Sequence, residues 1–200
     1  MSVAMPRAHV YVARSTTQAL ELCRRFVPTV VVVELLIHGD DGFDFLRALA
    51  AWAQGPRVLA FTARHDDLIL HRAQSGWLDG LIWKTTAAAA HLRIALPILG
   101  DGGRFFPSEV RERMAAFSGA PDAFFKIFSP AEQELLPWFG RGLSDAEVAV
   151  RVGRKAGTIK WHRHEIMKKL GFSRAIELAF WAMEKGFCVS KLPLPPCLWG

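Results

Sequence analysis

The sequence predicts two units of different class, an α/β unit followed by an all-α unit. Three observations predict it. From His9 to Leu96, apolar β-branched runs alternate with segments of helical spacing, the pattern of a parallel sheet under helical cover. From Ser129 onward helix-capping signals dominate: Ser129 precedes Glu132, and Ser144 precedes Glu147, by three residues each. Gly153 then separates two amphipathic segments, the second of which carries a basic face.

In the α/β part, AHVYVA (8–13) reads as a strand. A helix follows, with Ala19, Leu20, Cys23 and Phe26 at helical spacing, and Pro28 ends it. TVVVVELL is a continuous β-branched run, as expected of a strand buried on both faces. GFDFLRALAAW reads as a helix, RVLAFTA as a strand, 66–75 as a helix, LDGLIW as a strand and 87–96 as a helix. A short helix is expected from near Pro107. No Gly/Ser-rich spacer precedes the second unit, and Phe124, Phe125 and Phe128 sit at the junction.

The all-α part opens at Ser129-Pro130-Ala131-Glu132, a cap followed by a proline at the first helical position, and Pro137 is expected to kink that helix. Ser144 opens the next helix, whose apolar side is Ala146, Val148, Ala149 and Val152. After Gly153, Ile159, Ile166 and Leu170 form one face, while Lys160, His164 and Lys168 repeat every fourth residue on the opposite face, with Trp161 beside them. From Arg154 to Lys169 there are six Lys/Arg and one acid, Glu165. Two helices around a tight turn, the second basic on its outer face, suit the DNA major groove; a solvated helix on an unrelated small domain has the same pattern. Ser173 is expected to cap a last helix with Ile176, Ala179, Phe180 and Met183 as its packing stripe.

Composition excludes several classes. The hydrophobic fraction of 51% is ample for packed cores, yet no apolar run is long enough to span a membrane. The start, MSVAMPRAHV, lacks the apolar core of a signal peptide, so a cytoplasmic location is expected. The net charge of +6 is concentrated late: 14 basic against 12 acidic residues in 1–128, and 11 against 7 in 129–200. That bias suits a polyanionic partner. Cys23, Cys188 and Cys197 show no metal-ligand spacing, and no catalytic trio or Gly-rich phosphate loop is present, so neither an enzyme nor a cofactor is expected.

The segment from Phe128 to Phe187 resembles the LuxR-type helix-turn-helix of NarL/FixJ response regulators. FSPAEQELL, GLSDAEVA, TIKWH, IMKKLGF and RAIELAFWAMEKGF carry the likeness. It implies a four-helix DNA-binding domain and a homodimer, with the last helix contributing either to dimerisation or only to closing the core. It places Lys160, Trp161 and His164 at base-reading positions and Thr158 at a phosphate. Arg163, Lys168 and Lys169 suit phosphate contacts, and Lys155 stands where a serine ordinarily caps the reading helix. Loss of that cap, with Gly157 in the first turn, suggests a helix completed only on DNA.

The first half resembles the receiver domain of the same regulators, a flavodoxin-like fold. Glu34 stands at the phospho-accepting aspartate, His38 at the following proline, Thr62 at the switch hydroxyl and Lys84 at the lysine, with Thr85 replacing a proline. The strand preceding the first helix ends Val12-Ala13-Arg14, with no acidic pair to hold Mg²⁺. The spacing from Ala13 to Glu34 is about half a receiver's, so the usual first strand and helix are expected to be missing, leaving about four parallel strands and one sheet face thinly covered; loss of the middle strand and helix is the other version. A second copy of the chain is the economical cover. Glu34 is then a remnant, a partner of Lys84 (or Arg14) that holds the switch region, or a phosphorylated residue. Asp40 and Asp41 read most simply as turn residues.

The expected organisation is a degenerate receiver-like domain over 1–103, a linker with a short helix over 104–127, the helix-turn-helix domain over 128–187 and a proline-rich tail over 188–200. The expected function is a DNA-binding transcriptional regulator, homodimeric and independent of ordinary aspartate phosphorylation, with double-stranded DNA and a regulatory protein as partners and no membrane. Two alternatives stand beside it: a protein-interaction module without specific DNA binding, and a phosphorylation-competent regulator using Glu34 or Asp41.

Overall fold

The computed structural model describes residues 8–37, 40–52 and 55–188. The chain divides into two compact units, one holding residues up to His65 with 69–117, the other holding 66–68 with 118 onward. The first unit runs α1 (Thr16–Phe26), β1 (Val30–Val33), β2 (Leu36–Ile37), β3 (Asp40–Asp41), α2 (Gly42–Ala50), β4 (Arg57–Thr62), α3 (Asp67–Gln74), β5 (Gly80–Trp83), α4 (Ala88–Gly100) and α5 (Ser108–Gly119). The first two residues of α3 cluster with the second unit.

β1, β4 and β5 form a parallel sheet in the order β1-β4-β5, with Val30 opposite Arg57 and Leu59 opposite Gly80. β2 and β3 make a separate two-residue antiparallel pair. The strand expected over 8–13 is not formed, so the sheet has three strands rather than about four. Residues 8–13 have no regular structure, and Val10, Tyr11 and Val12 are 46%, 47% and 73% exposed. Tyr11 instead stacks on Phe26 of α1 at 4.0 Å, and α1 begins at once behind the Ser15 cap, which accepts from the Gln18 N–H. An alternating apolar pattern names the faces a strand would have; it does not supply a sheet edge within reach. β1 is therefore an edge of the sheet among the described residues.

The buried cluster on one sheet face draws on strand residues and α4 alone: Leu59 and Ile82 with Ala88, Ala95, Leu96 and Leu99. Val30, Val32, Phe61, Leu92 and Phe105 pack against it but remain partly exposed. The thin cover expected from a missing helix is present here. At the other end of the sheet, Phe105 bridges to Gly80. A Cβ at Gly80 would lie 2.7 Å from Leu59 Cδ1 and 2.8 Å from the Phe105 carbonyl, so only glycine admits that approach.

The second unit contains α6 (Phe124–Ile127), α7 (Pro130–Gly140), α8 (Asp145–Val152), α9 (Ala156–Leu170) and α10 (Ala175–Glu184). Both serine–glutamate capping boxes form, at Ser129/Glu132 and Ser144/Glu147. α7 runs through Pro137 to Gly140. Gly153 turns α8 into α9 at φ 66°, a left-handed conformation natural to glycine. The last helix is capped by Arg174, one residue beyond Ser173, with Glu177 reaching back to both backbone N–H groups. Leu135, Leu136, Val148, Ile159, Ile166, Leu178 and Ala182 are fully buried and make the core.

Two cations expected at phosphates are committed to this unit instead. Arg163 Nε donates to Asp145 at 2.7 Å, its NH2 donates to the Leu143 carbonyl at 2.7 Å, and its guanidinium lies 4.2 Å from the Phe139 ring centre. Lys169 Nζ is 2.7 Å from both Glu132 oxygens and also donates to the Ile127 carbonyl. The reason is proximity: the loop before α8 and the start of α7 each present an acid to the inner flank of α9. Neither pairing is local in sequence. They also explain how α9 forms from Ala156 without a side-chain cap at Lys155, since the helix is held along its length by Ile159, Arg163 and Ile166.

Two predictions follow from these braces. Arg163→Ala should lower the urea-unfolding free energy by about 1–3 kcal/mol, because three polar and aromatic contacts end on one largely buried group, whereas Lys160→Ala on the outer face should stay within about 0.5 kcal/mol. The second concerns acid. Burial alone would raise the Glu132 carboxyl, but hydrogen bonds from Lys169 and from the Ser129 backbone and hydroxyl outweigh it and hold the group below the ordinary carboxylate range. A depressed folded-state value means stability that is complete above the unfolded carboxylate value of about 4.3 and lost as the pH falls through the folded one. Urea midpoints of the wild type and Glu132→Gln should differ at neutral pH and converge on acidification.

Candidate nucleic-acid interface

α9 is built with an inner and an outer side. Ile159 and Ile166 are buried completely on the inner side. Lys155, Thr158, Lys160, Trp161, His164 and Lys168 are exposed on the outer side. The α9 residues of this set and Lys155 make no ion pair or hydrogen bond through their side chains within the described residues, in contrast to Arg163 and Lys169. Trp161 is 58% exposed and meets the neighbouring His162 edge-on at 4.9 Å. An indole at the middle of a basic helix presents both an apolar face and an N–H donor on the outer side. His162 is half-buried, with a buried Nδ1 that has no hydrogen-bond partner.

The outer face is therefore a strip of cations and amphipathic side chains with an aromatic at its centre. Lys160 and Lys168 are donors only and His164 is a donor or acceptor, which is what contact with phosphates and base edges requires. Arg154, at the turn, reaches Glu134 at 3.1 Å. Arg151 leans on Trp138 and on the Glu147 carbonyl. The spare positive charge thus falls on α9 itself.

In the first unit the residues expected at a degenerate phosphorylation site are brought together. Thr62, fully buried, donates its hydroxyl to Glu34 Oε1 at 2.6 Å. Lys84 Nζ lies 2.6 Å from Glu34 Oε2 and 5.5 Å from the Phe61 ring centre. The Arg64 N–H donates to the Thr62 hydroxyl at 3.1 Å. Glu34 follows β1, Thr62 ends β4 and Lys84 follows β5, so sheet register sets all three. Arg14 is exposed and is not the partner; its backbone N–H donates to Gln18. His38, the tail over 189–200 with Cys197, and the side chains of Asp40 and Asp41 lie outside the described residues. Cys23 and Cys188 are buried and are not joined in a disulfide. Among the described residues no helix is long and apolar enough to cross a membrane.

Residues 126–182 match the family described as bacterial regulatory proteins, luxR family. The Fimbriae Z protein of Salmonella typhimurium is 24% identical over 165 residues, covering 82% of this chain and 78% of its own. The transcriptional regulatory protein RcsB of Escherichia coli K12 is 27% identical over 154 residues, covering 74% and 69%. Among solved structures, RcsB of Salmonella enterica serovar Typhimurium bound to a promoter superposes with a TM-score of 0.54 at 24% identity, covering 86% of this chain and 82% of that one. An RcsB–DNA complex gives 0.54 at 22%, covering 92% and 91%. Residues 126–182 are thus a LuxR-type helix-turn-helix domain, and the chain as a whole is similar to response regulators that pair such a domain with a receiver.

Proposed function

We propose that the chain is a transcriptional regulator that binds double-stranded DNA through α9, acts as a homodimer and does not depend on aspartate phosphorylation. The observation that carries the DNA reading is the uncommitted outer face of α9: three lysines, a histidine, a threonine and an exposed tryptophan opposite a fully buried inner side. Lys160, Trp161 and His164 are assigned to base edges, with Trp161 against thymine methyl groups. Lys155, Thr158 and Lys168 are assigned to phosphates. Arg163 and Lys169 are positioning residues that set the helix. RcsB relatives of the same fold have been solved on DNA, which supports the reading. The domain limits of 1–103, 104–127, 128–187 and 188–200, and a cytoplasmic location, belong to the same proposal.

Independence from phosphorylation is supported by Glu34. A carboxylate one methylene longer than aspartate accepts from Thr62 and pairs with Lys84 at 2.6 Å in both cases. Those contacts put a permanent negative charge against the hydroxyl and ammonium that would otherwise answer a phosphoryl group, and residues 8–14 contain no acidic residue that could help hold Mg²⁺. A protein-interaction module is the second reading; Trp161, too large and apolar for a merely solvated position, is what favours it.

Two experiments test this. Titration of the chain's own upstream DNA across a salt series should give steep salt dependence, with a log–log slope of about −4 for a dimer engaging two phosphate-bound lysines per subunit. Lys168→Ala should flatten the slope by about two for the dimer, while Lys160→Ala with His164→Ala should cost about tenfold in preference over unrelated DNA. An unchanged preference favours the interaction module. Separately, acetyl phosphate should add no phosphoryl mass and leave affinity unchanged, and Glu34→Ala should weaken DNA binding by about fivefold or more. Unaltered affinity in Glu34→Ala would reduce that residue to a remnant.

A further inference from the structure

Trp83 ends β5 with 8% of its surface exposed, and its ring nitrogen is buried without a hydrogen-bond partner among the described residues. An indole N–H shut away from water ordinarily finds an acceptor. His65, from the segment between β4 and α3, stacks on this ring with centres 4.5 Å apart. His65 is exposed, and its side chain makes no hydrogen bond or ion pair within the described residues. The two rings border an open cleft of about 470 Å³ inside the first unit, whose other border is α5 with Glu109, Glu112, Arg113 and Ala116. Small-molecule sites ordinarily measure about 300–1,000 Å³.

The charged groups around the cleft differ in standing. Glu109 is engaged by His91, 3.6 Å away, and by the Ser108 hydroxyl. Glu112 and Arg113 are exposed, and neither makes an ion pair or a side-chain hydrogen bond within the described residues. Glu112 only accepts and Arg113 only donates. As neighbours on α5 that both border the cleft, they match a cation and an anion carried on one carbon, the ammonium and carboxylate of an α-amino acid. A phosphate or a simple amine would use one of the two and leave the other idle. The rings of His65 and Trp83 suit a flat side chain. The unsatisfied N–H of Trp83 suits an oxygen on that side chain, and Ala116, with only a methyl group, leaves room for it.

We propose that this cleft binds a hydroxylated aromatic amino acid, of which tyrosine is the simplest. Its ring lies against His65, its phenol oxygen accepts from Trp83 Nε1, its ammonium meets Glu112 and its carboxylate meets Arg113. His65, which no directional bond holds, gives way to open the indole N–H to the ligand. The site belongs to the first unit and stands or falls without the DNA reading.

Equilibrium dialysis of the full chain against radiolabelled tyrosine tests it. Saturable binding is expected, with a dissociation constant of about 100 μM for a ligand of this size. Unlabelled competitors read the contacts one by one. Tyramine, which lacks the carboxylate, and 4-hydroxyphenylpropionate, which lacks the ammonium, should each compete about tenfold less well than tyrosine. Phenylalanine should also fall about tenfold or more, because it leaves the Trp83 N–H unpaired. Glu112→Ala and Arg113→Ala should each weaken binding about tenfold, and Ala116→Trp, which fills the cleft, should abolish it. All three positions are exposed, and circular dichroism of each variant checks that the fold is kept. No saturable binding up to the solubility limit of tyrosine overturns the proposal. So does binding that survives Ala116→Trp, or that tyramine and 4-hydroxyphenylpropionate match. Equal competition by phenylalanine overturns the part given to Trp83.

Discussion

The placement of α9 depends on one guanidinium. Arg163 sits mid-helix with its side chain only 14% exposed, and it ends on a carboxylate, a backbone carbonyl and an aromatic face. The first two lie at the start of α8 and in the turn before it, and the third lies in α7, so one side chain triangulates the helix against both of its neighbours. Isoleucines at 159 and 166 set the depth of α9 but, being apolar, leave its rotation about its own axis loosely specified. The directional bonds of Arg163 supply the rotation, and with it the direction in which Lys160, Trp161 and His164 face. Lys169 performs the same service near the C-terminal end through Glu132. The cations of α9 thus divide into those that make the platform and those that it presents.

Much of the architecture was legible in the sequence because its signals are local. Both serine–glutamate boxes, the Gly153 turn and the β-branched runs of β1 and β4 state their own conformation within a few residues. The meeting of Glu34, Thr62 and Lys84 was legible in a different way, since a parallel sheet brings the C-terminal ends of its strands to one edge. What was not legible is what depends on distant partners. Residues 8–13 alternate like a strand and are not one. Arg163 and Lys169 look like their exposed neighbours in composition, and only the fold reveals Asp145 and Glu132, 18 and 37 positions away. The same distance hides the reason that α9 is complete without a capping side chain.

The two units solve their charge problems in opposite ways. In the first, a partly buried carboxylate is matched by a hydroxyl and an ammonium at short distance, which makes a neutral, hydrogen-bonded knot at the end of the sheet. In the second, positive charge on the outer side of α9 is left unmatched. Unmatched charge costs little in water and gains most when a polyanion displaces its counterions. A protein arranged in this way carries its readiness in the surface of one helix rather than in a chemical change at the other unit.

The valine edge of β1 bears on how the chain reaches its folded state. Among the described residues β1 joins the sheet only through β4, and the residues they pair, Val30 with Arg57, are far apart along the chain. Parallel pairing of that kind waits on loop closure, whereas the helices of the second unit assemble from near neighbours. During that wait four consecutive valines offer unpaired backbone to any other chain in the same condition. The hazard of misassembly during synthesis is thus lodged in the first unit, and crowding of nascent chains, rather than heat acting on the finished protein, is the circumstance that would expose it.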